Sequence, residues 1–286
     1  MPEFFAFFVE PFSYPFMLRA LYAAIIVGIA TPVLGTYIVL RGMAFFGDAL
    51  AHIILPGVVI AFLLGWPLVV GALAVGITAA LLIGAISHHT DMKEDAAIGV
   101  VFAGAFALGV ALISTQRSYA VDLAHILFGD VLGVSLGDLW LMGGIAAIVL
   151  VTIFAFYKEF LVLSFDPNLA ATLRLPVGFL QNLLLVLLAA VIVLSIQAVG
   201  VALVLAMLVT PASTAYLLTR RLPTMMAYSA GIGIVSAIAG LLLSFHWNIA
   251  SGPAIVLVET TIFAIAFAIA PGRGLLARIL LHNRRA

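Results

Sequence analysis

The chain has 286 residues, of which 65% are hydrophobic and 8% are charged, and its mean hydropathy is +1.32. Because soluble domains carry about 25% charged residues, this composition excludes a soluble protein and predicts an integral membrane protein. Twelve Lys and Arg residues balance twelve Asp and Glu residues, so the chain has no basic field with which to hold nucleic acid. The absence of cysteine excludes disulfides and thiolate metal sites.

Apolar segments long enough to cross a membrane as helices follow one another along the chain. A crossing needs about 20 residues, because each helical residue rises about 1.5 Å through a hydrocarbon layer about 30 Å thick. The segments are 16–40, 45–64, 67–86, 96–114, 139–157, 177–196, 200–218, 224–244 and 253–270. The sequence therefore predicts one all-α transmembrane domain over residues 1–286, with about nine helices. Eight crossings remain possible, because the turn at 197–200 is very short.

Basic residues are distributed unevenly between the predicted loops. If the C-terminus is inside, only Arg19 and Arg117 lie outside, and the other ten of the twelve basic residues lie inside. Short cytoplasmic loops retain Lys and Arg, so we expect the N-terminus outside and the C-terminus inside. This orientation makes residues 115–138 an outer loop and residues 158–176 a cytoplasmic loop.

The predicted cytoplasmic loop contains the start of a short helix. Asp166 is a favoured N-cap residue, and Pro167 is a favoured first helical residue. Leu169 and Leu173 are four residues apart, so they share one helix face. An apolar face on the inner side needs a cover, which could be a partner protein or the lipid surface.

Ionisable residues inside predicted membrane helices are candidates for function, because burying them there is costly. Asp48 and His52 lie four residues apart in the second segment, so both are on one helix face. A carboxylate and an imidazole together suit Mn²⁺, Fe²⁺ or Zn²⁺. The alternative is a structural Asp–His hydrogen bond between helices. Glu259 in the last segment is expected at a similar depth, either as a further ligand or gating residue or as a buried neutral acid.

Other polar groups give weaker signals. His125 with Asp122 and Asp130 could collect cations at the outer mouth. The turn that begins at His88 and His89 and continues through Asp91, Lys93, Glu94 and Asp95 has the pattern of a solvated loop. No GxxxxGK[ST] motif is present, so the chain has no P-loop of its own, and energy must come from an ion gradient or another polypeptide. The small residues Ser229 and Gly233, followed by Ala237, permit close helix packing within the chain or between copies.

Several sequence stretches resemble the permease subunits of bacterial ABC importers for manganese, zinc and iron. The most specific is VLRGMAFFGDALAH at 39–52, followed by LPG at 55–57. The likeness continues through KEDAAIG at 93–99, LFGD at 127–130, FDP at 165–167, VTPA at 209–212 and SGPAIV at 251–256. It covers nearly the whole chain.

The resemblance implies a homodimeric permease, similar to type II ABC importers, in the bacterial plasma membrane. An ABC ATPase subunit would dock on each copy, and an extracytoplasmic protein would deliver the metal. The segment with Asp166, Pro167, Leu169 and Leu173 looks like the helix that contacts the ATPase, although Arg174 stands where many members have glycine.

The resemblance also bears on the cargo. Asp48 and His52 match the family stretch, whereas Glu259 matches no family-wide motif. The implied cargo is Mn²⁺ first and Zn²⁺ or Fe²⁺ next, with no cofactor and no ATPase site of the chain's own. The alternative is a proton-coupled secondary carrier of divalent metals, in which Asp48 and Glu259 would titrate.

Overall fold

A computed structural model describes residues 8–90, 92–114 and 131–270, and every regular element in these ranges is helical. Short 3₁₀ turns occur at Glu10–Ser13 and Val131–Gly133. The α-helices are Pro15–Arg41 (α1), Phe45–Ile53 (α2), Leu55–Leu64 (α3), Leu68–His89 (α4), Glu94–Ser114 (α5), Leu136–Ala155 (α6), Tyr157–Phe165 (α7), Pro167–Thr172 (α8), Val177–Val199 (α9), Val201–Leu218 (α10), Leu222–Trp247 (α11) and Ser251–Ile269 (α12). The prediction of an all-α membrane protein is confirmed.

Most of these helices have the length of a membrane crossing. In the described ranges, eight helical segments are long and apolar enough to span a bilayer, with α2 and α3 together forming one of them. Helix α10 occupies the seventh predicted segment, and its apolar stretch Leu203–Leu218 is shorter than the others. Both eight and nine crossings fit these helices, so the number nine stays a prediction.

The second predicted segment is two helices rather than one. Helix α2 ends at Ile53 and α3 begins at Leu55, with Ile54 between them. Pro56 has no N–H group, so it cannot make the helical hydrogen bond to the carbonyl of His52. The break therefore lies directly beyond the residue that the sequence proposes as a metal ligand.

The segment predicted as a cytoplasmic loop is also largely helical. Helix α7 follows α6 after Phe156. The side chains of Phe160 and Leu163 in α7 are buried in the core, and they hold this helix against the rest of the molecule. The short helix α8 then begins where the sequence predicts it. Of the predicted outer loop, residues 115–130 lie outside the described ranges.

Helix α1 lies at the centre of the molecule. It is the most buried of the candidate spans, and it packs against α10 and α11, while α9 packs against α4. A Cβ built on Gly28 of α1 would lie 3.0 Å from the carbonyl oxygen of Gly233 in α11, so these backbones nearly touch. The small residues of α11 therefore serve packing within the chain, which decides between the alternatives that the sequence left open.

The outermost helices present apolar side chains to their surroundings. Helices α5, α6 and α12 are the least buried of the candidate spans. Such faces are compatible with lipid, because hydrocarbon chains are as apolar as the side chains.

Candidate functional site

The helix that carries Asp48 and His52 begins at a tight turn. Helix α1 ends at Arg41, where Gly42 adopts the left-handed conformation with φ of 71°, which glycine reaches without strain. The N–H of Met43 then donates to the carbonyl of Ile38 at 3.0 Å, which closes the helix end. Only three residues separate α1 from α2, so Asp48 lies in the first turn of the new helix.

One face of α2 is fully buried, whereas the face that carries Asp48 and His52 is only partly covered. Phe46, Ala49 and Leu50 are buried. Gly47 faces α10, where a Cβ would meet the side chains of Leu205 and Leu208. Asp48 and His52 are only partly buried, so their side chains remain accessible from the other face.

The imidazole of His52 is held from three sides. Its Nδ1 lies 2.9 Å from the backbone carbonyl oxygen of Asp48. The rings of Phe102 and Phe106 in α5 each lie 5.9 Å from it, edge to face. When Nδ1–H donates to that carbonyl, the neutral ring keeps its lone pair on Nε2, which is the usual arrangement of a metal-binding histidine.

The carboxylate of Asp48 is not used by the fold. It makes no hydrogen bond or ion pair with the described residues, and the bond from His52 goes to its backbone rather than to its side chain. The structural Asp–His side-chain bond considered above is therefore not formed. One oxygen ligand and one nitrogen ligand can hold a divalent cation only weakly, unless further donors join them.

Glu259 does not join this pair. Within the described ranges, no three His, Cys, Asp or Glu side chains are close enough to hold a metal together. Glu259 lies in α12, which packs against α10 and α11, whereas α2 packs against α5, α9 and α10. Its side chain is 0% exposed, and neither carboxylate oxygen has a hydrogen-bond partner in the described structure. The predicted cluster of His125, Asp122 and Asp130 lies outside the described residues.

Aromatic residues beside the site were missed by the sequence analysis. Phe102 and Phe106 stack on each other with ring centroids 5.8 Å apart, and they form a wall next to His52. Their spacing of four residues places them on one face of α5, but phenylalanine is common throughout this apolar chain, so spacing alone gave no signal.

The proposed coupling segment has the predicted local structure. The Asp166 carboxylate accepts hydrogen bonds from the N–H groups of Asn168 at 2.9 Å and Leu169 at 3.1 Å, and Pro167 is the first helical residue. Phe165, Leu169 and Leu173 are 65%, 49% and 56% exposed. Leu169 and Leu173 are four residues apart and share one face of α8, and Phe165 ends the helix before it. We call these three exposed apolar residues the inner stripe.

Two further features lie next to the inner stripe. Arg174 has φ of 58°, a left-handed conformation that favours glycine, and its N–H donates to the carbonyl of Ala171 at 2.9 Å. Arg174, which stands where many members of the resembled family have glycine, therefore occupies a position where glycine would fit the backbone better. A cavity of about 290 Å³ opens beside Phe165, between the ends of α1 and α10 and the start of α11.

The comparisons with known proteins agree with one another. Residues 13–270 match the ABC 3 transport family. The chain is 49% identical to the manganese transport system membrane protein MntC of Halalkalibacterium halodurans, over 95% of this chain and 93% of that protein. It is 44% identical to the chelated iron transport system membrane protein YfeD of Yersinia pestis, over 90% of this chain and 86% of that protein.

Solved structures give the same result. PsaBC from Streptococcus pneumoniae, in complex with Fab, matches with a TM-score of 0.83 and 40% identity, over 98% of this chain and 99% of that one. A metal-chelate type ABC transporter in an inward-facing conformation matches with a TM-score of 0.72 over 87% of this chain and 85% of that one. At 13% identity, the second match is a likeness of fold alone.

The apolar helices and these matches together define a multi-pass membrane permease of an ATP-driven metal importer. The chain belongs to the ABC 3 transport family. The resemblance that the sequence suggested is thereby confirmed, and the family membership decides against the proton-coupled carrier.

Proposed function

We propose that this protein carries Mn²⁺ into the cytoplasm of a bacterium, with Zn²⁺ and Fe²⁺ as less favoured cargo, and that Asp48 and His52 bind the metal on its way. The observation that supports this most is the state of the two side chains. Nδ1 of His52 lies 2.9 Å from a backbone carbonyl oxygen, and the Asp48 carboxylate, on the same helix face, has no hydrogen-bond or ion-pair partner among the described residues. Both side chains are therefore available to a cation.

The ligand chemistry favours Mn²⁺. Carboxylate oxygen suits Mn²⁺, imidazole is accepted by several first-row metals, and sulfur ligands are absent because the chain has no cysteine. Relatives named for manganese transport and for chelated iron transport are both more than 40% identical to the chain. Affinity for nitrogen and oxygen ligands rises from Mn²⁺ toward Zn²⁺, so selection for Mn²⁺ also requires the protein that delivers the metal.

Weak ligation suits transport. A conduit must bind its ion well enough to admit it and weakly enough to release it. A closed structural site would instead surround the ion with a full set of protein ligands. In a homodimer, two copies of Asp48 and His52 around a twofold axis would offer four ligands to one pathway.

The energy comes from a separate ABC ATPase subunit. We assign its docking site to the inner stripe, because three exposed apolar side chains next to a capped helix need a cover, and the family supplies an ATPase partner. Residues 158–176 and the C-terminus are then cytoplasmic, residues 115–138 are outside, and an extracytoplasmic binding protein delivers the metal there.

Metal accumulation in a strain that lacks its own importer tests the site. We expect Asp48→Ala and His52→Ala each to lower Mn²⁺ uptake by more than about tenfold at equal expression, since even outer-shell partners of metal ligands cost that much. Glu259→Gln should have a smaller effect, because Glu259 is not grouped with the pair.

His89→Ala is the matched control for His52→Ala. Nδ1 of His89 also lies 2.9 Å from a carbonyl oxygen four residues earlier, that of Ala85, but His89 is exposed at the end of α4. It should transport normally. Normal uptake by the Asp48→Ala and His52→Ala variants would contradict the proposed site.

A further inference from the structure

A polar cluster joins four helices at one end of the molecule. The carboxylate of Glu94, the first residue of α5, accepts hydrogen bonds from Arg41 at the end of α1 and from Gln181 near the start of α9. The amide of Gln181 also donates to the hydroxyl of Ser87 in α4 at 3.0 Å. We call Arg41, Ser87, Glu94 and Gln181 the inner clamp.

The inner clamp is shielded from solvent. The side chains of Arg41 and Glu94 are 8% and 20% exposed, and Gln181 is 8% exposed as a residue. Both hydrogen bonds to Glu94 end on the same oxygen, Oε1. Burial lowers the local dielectric, so the attraction between Arg41 and Glu94 is stronger than it would be at an open surface. Glu94 is therefore part of a fixed network and not of the solvated turn that the sequence suggested.

Such a cluster is weak evidence for added stability. A buried ion pair costs desolvation energy, and well-packed apolar residues in its place are often equally stable or more stable. Helices α4 and α9 already pack closely, and so do α2 and α5. The cluster instead fixes the helix ends relative to one another, whereas apolar packing alone would allow them to slide.

The inner clamp connects the two parts of the proposed mechanism, which are the metal site and the coupling helix. Arg41 ends α1, and three residues separate it from α2, the helix of Asp48 and His52. Glu94 begins α5, whose rings Phe102 and Phe106 contact His52. Gln181 lies in α9, the helix that follows the coupling helix α8 after a connection of four residues.

We propose that Glu94 and Gln181 are positioning residues that transmit movement of the coupling segment to the metal site. This inference rests on the proposed function. When the ATPase displaces α8, the start of α9 moves with it, and Gln181 carries Glu94 and the start of α5 along. The aromatic wall of α5 then moves, and the start of α2 moves with it, because Arg41 is bound to the same Glu94. The inner clamp thus makes α2 and α5, the two helices at the metal site, respond together.

Gln181→Leu tests this assignment in the purified permease–ATPase complex in liposomes. The change removes both N–H donors and leaves the ion pair between Arg41 and Glu94. We expect unchanged Mn²⁺ affinity and unchanged basal ATP hydrolysis, while the Mn²⁺ transported per ATP hydrolysed falls by roughly two- to thirtyfold, the range of measured coupling effects. Gln181→Met, a flexible side chain of similar length, is measured beside it and should behave alike even if leucine disturbs assembly.

The matched control is Asn182→Leu. Asn182 is the next residue of α9 and faces Gly84 of α4, but its side-chain oxygen has no hydrogen-bond partner in the described structure. The same amide-to-leucine change there removes no hydrogen bond of the described structure, so it should leave the transport ratio unchanged.

Two results would overturn the inference. One is a normal transport ratio in Gln181→Leu and Gln181→Met while the wild-type complex is active. The other is an equal loss of Mn²⁺ binding, ATP hydrolysis and transport in these variants and in Asn182→Leu, which would mean general damage. A wild-type complex that moves no Mn²⁺ with ATP would instead overturn the proposed function, and the inner clamp with it.

Discussion

At the scale of single residues, the arrangement of His52 is the most informative feature of the site. A histidine in an apolar helix could have a purely structural role, as a hydrogen-bond partner for a group on a neighbouring helix. Here its Nδ1 is bonded to the carbonyl of its own helix, so it links nothing across helices through that atom. Nε2 is therefore the ring nitrogen that is left for a metal. The sequence predicted the shared face of Asp48 and His52, but the Nδ1 contact required the structure.

Arg174 is a second residue whose conformation has a measurable consequence. A non-glycine residue in the left-handed region costs about 1 kcal/mol or more, whereas glycine pays a comparable but smaller entropic cost. We expect Arg174→Gly to stabilise the permease–ATPase complex by about 0.5–1 kcal/mol, measured as a rise in unfolding temperature.

Asn248→Gly is the control for Arg174→Gly. Asn248 has φ of 56°, nearly the same as Arg174, but asparagine tolerates this conformation, so the gain should be smaller. A fall in the unfolding temperature of Arg174→Gly would mean that the Arg174 side chain makes a contact worth more than the strain.

At the scale of elements, helix α8 is defined by its cap and its exposed stripe. Replacing Leu169 and Leu173 together with Asp would place charges where the ATPase should bury apolar surface. We expect the double variant to lose co-purification with the ATPase and to lose ATP-driven transport. The control is Asn168→Asp with Thr172→Asp, which adds the same charges at the same spacing, one residue earlier on an exposed face. Co-purification of a fully active complex with the leucine variant would remove the inner stripe from the interface.

The crossing of α1 and α11 depends on glycine. A Cβ on Gly233 would collide with the carbonyl oxygen of Gly28, and backbone cannot move aside as a side chain can. We expect Gly233→Leu to destabilise the protein by about 1–3 kcal/mol or to prevent folding, seen as lost monodisperse protein after detergent extraction. Gly231→Leu on the same helix is the control, because a Cβ there meets nothing within 4 Å. Equal yields of the two variants would contradict the close crossing.

At the scale of the whole molecule, the sequence predicted most of the helices because long apolar runs leave few alternatives in lipid. It predicted the start of α8 because Asp166 and Pro167 have local capping roles. It did not predict the break at Ile54, where Pro56 interrupts the second apolar segment. It also did not predict that Glu94 would meet Gln181, because a contact between residues 87 positions apart leaves no trace in local spacing.

The proposed orientation of the molecule rests on the basic residues and can be measured directly. The chain has no cysteine, so single cysteines can be introduced without background. We expect Asn168→Cys to be protected from an impermeant maleimide in intact cells, and Asn248→Cys to be labelled. Both asparagines are exposed, which makes them a matched pair. The reverse labelling pattern would contradict the orientation.

The most direct test of the whole account is uptake of radiolabelled Mn²⁺ by liposomes that contain the permease and its ATPase partner, with and without ATP. We predict accumulation that requires ATP, does not respond to a pH gradient alone, and is lost in the Asp48→Ala and His52→Ala complexes while their ATPase subunits remain bound. Uptake driven by a pH gradient without ATP, or undiminished ATP-driven uptake in both variants, would contradict the account.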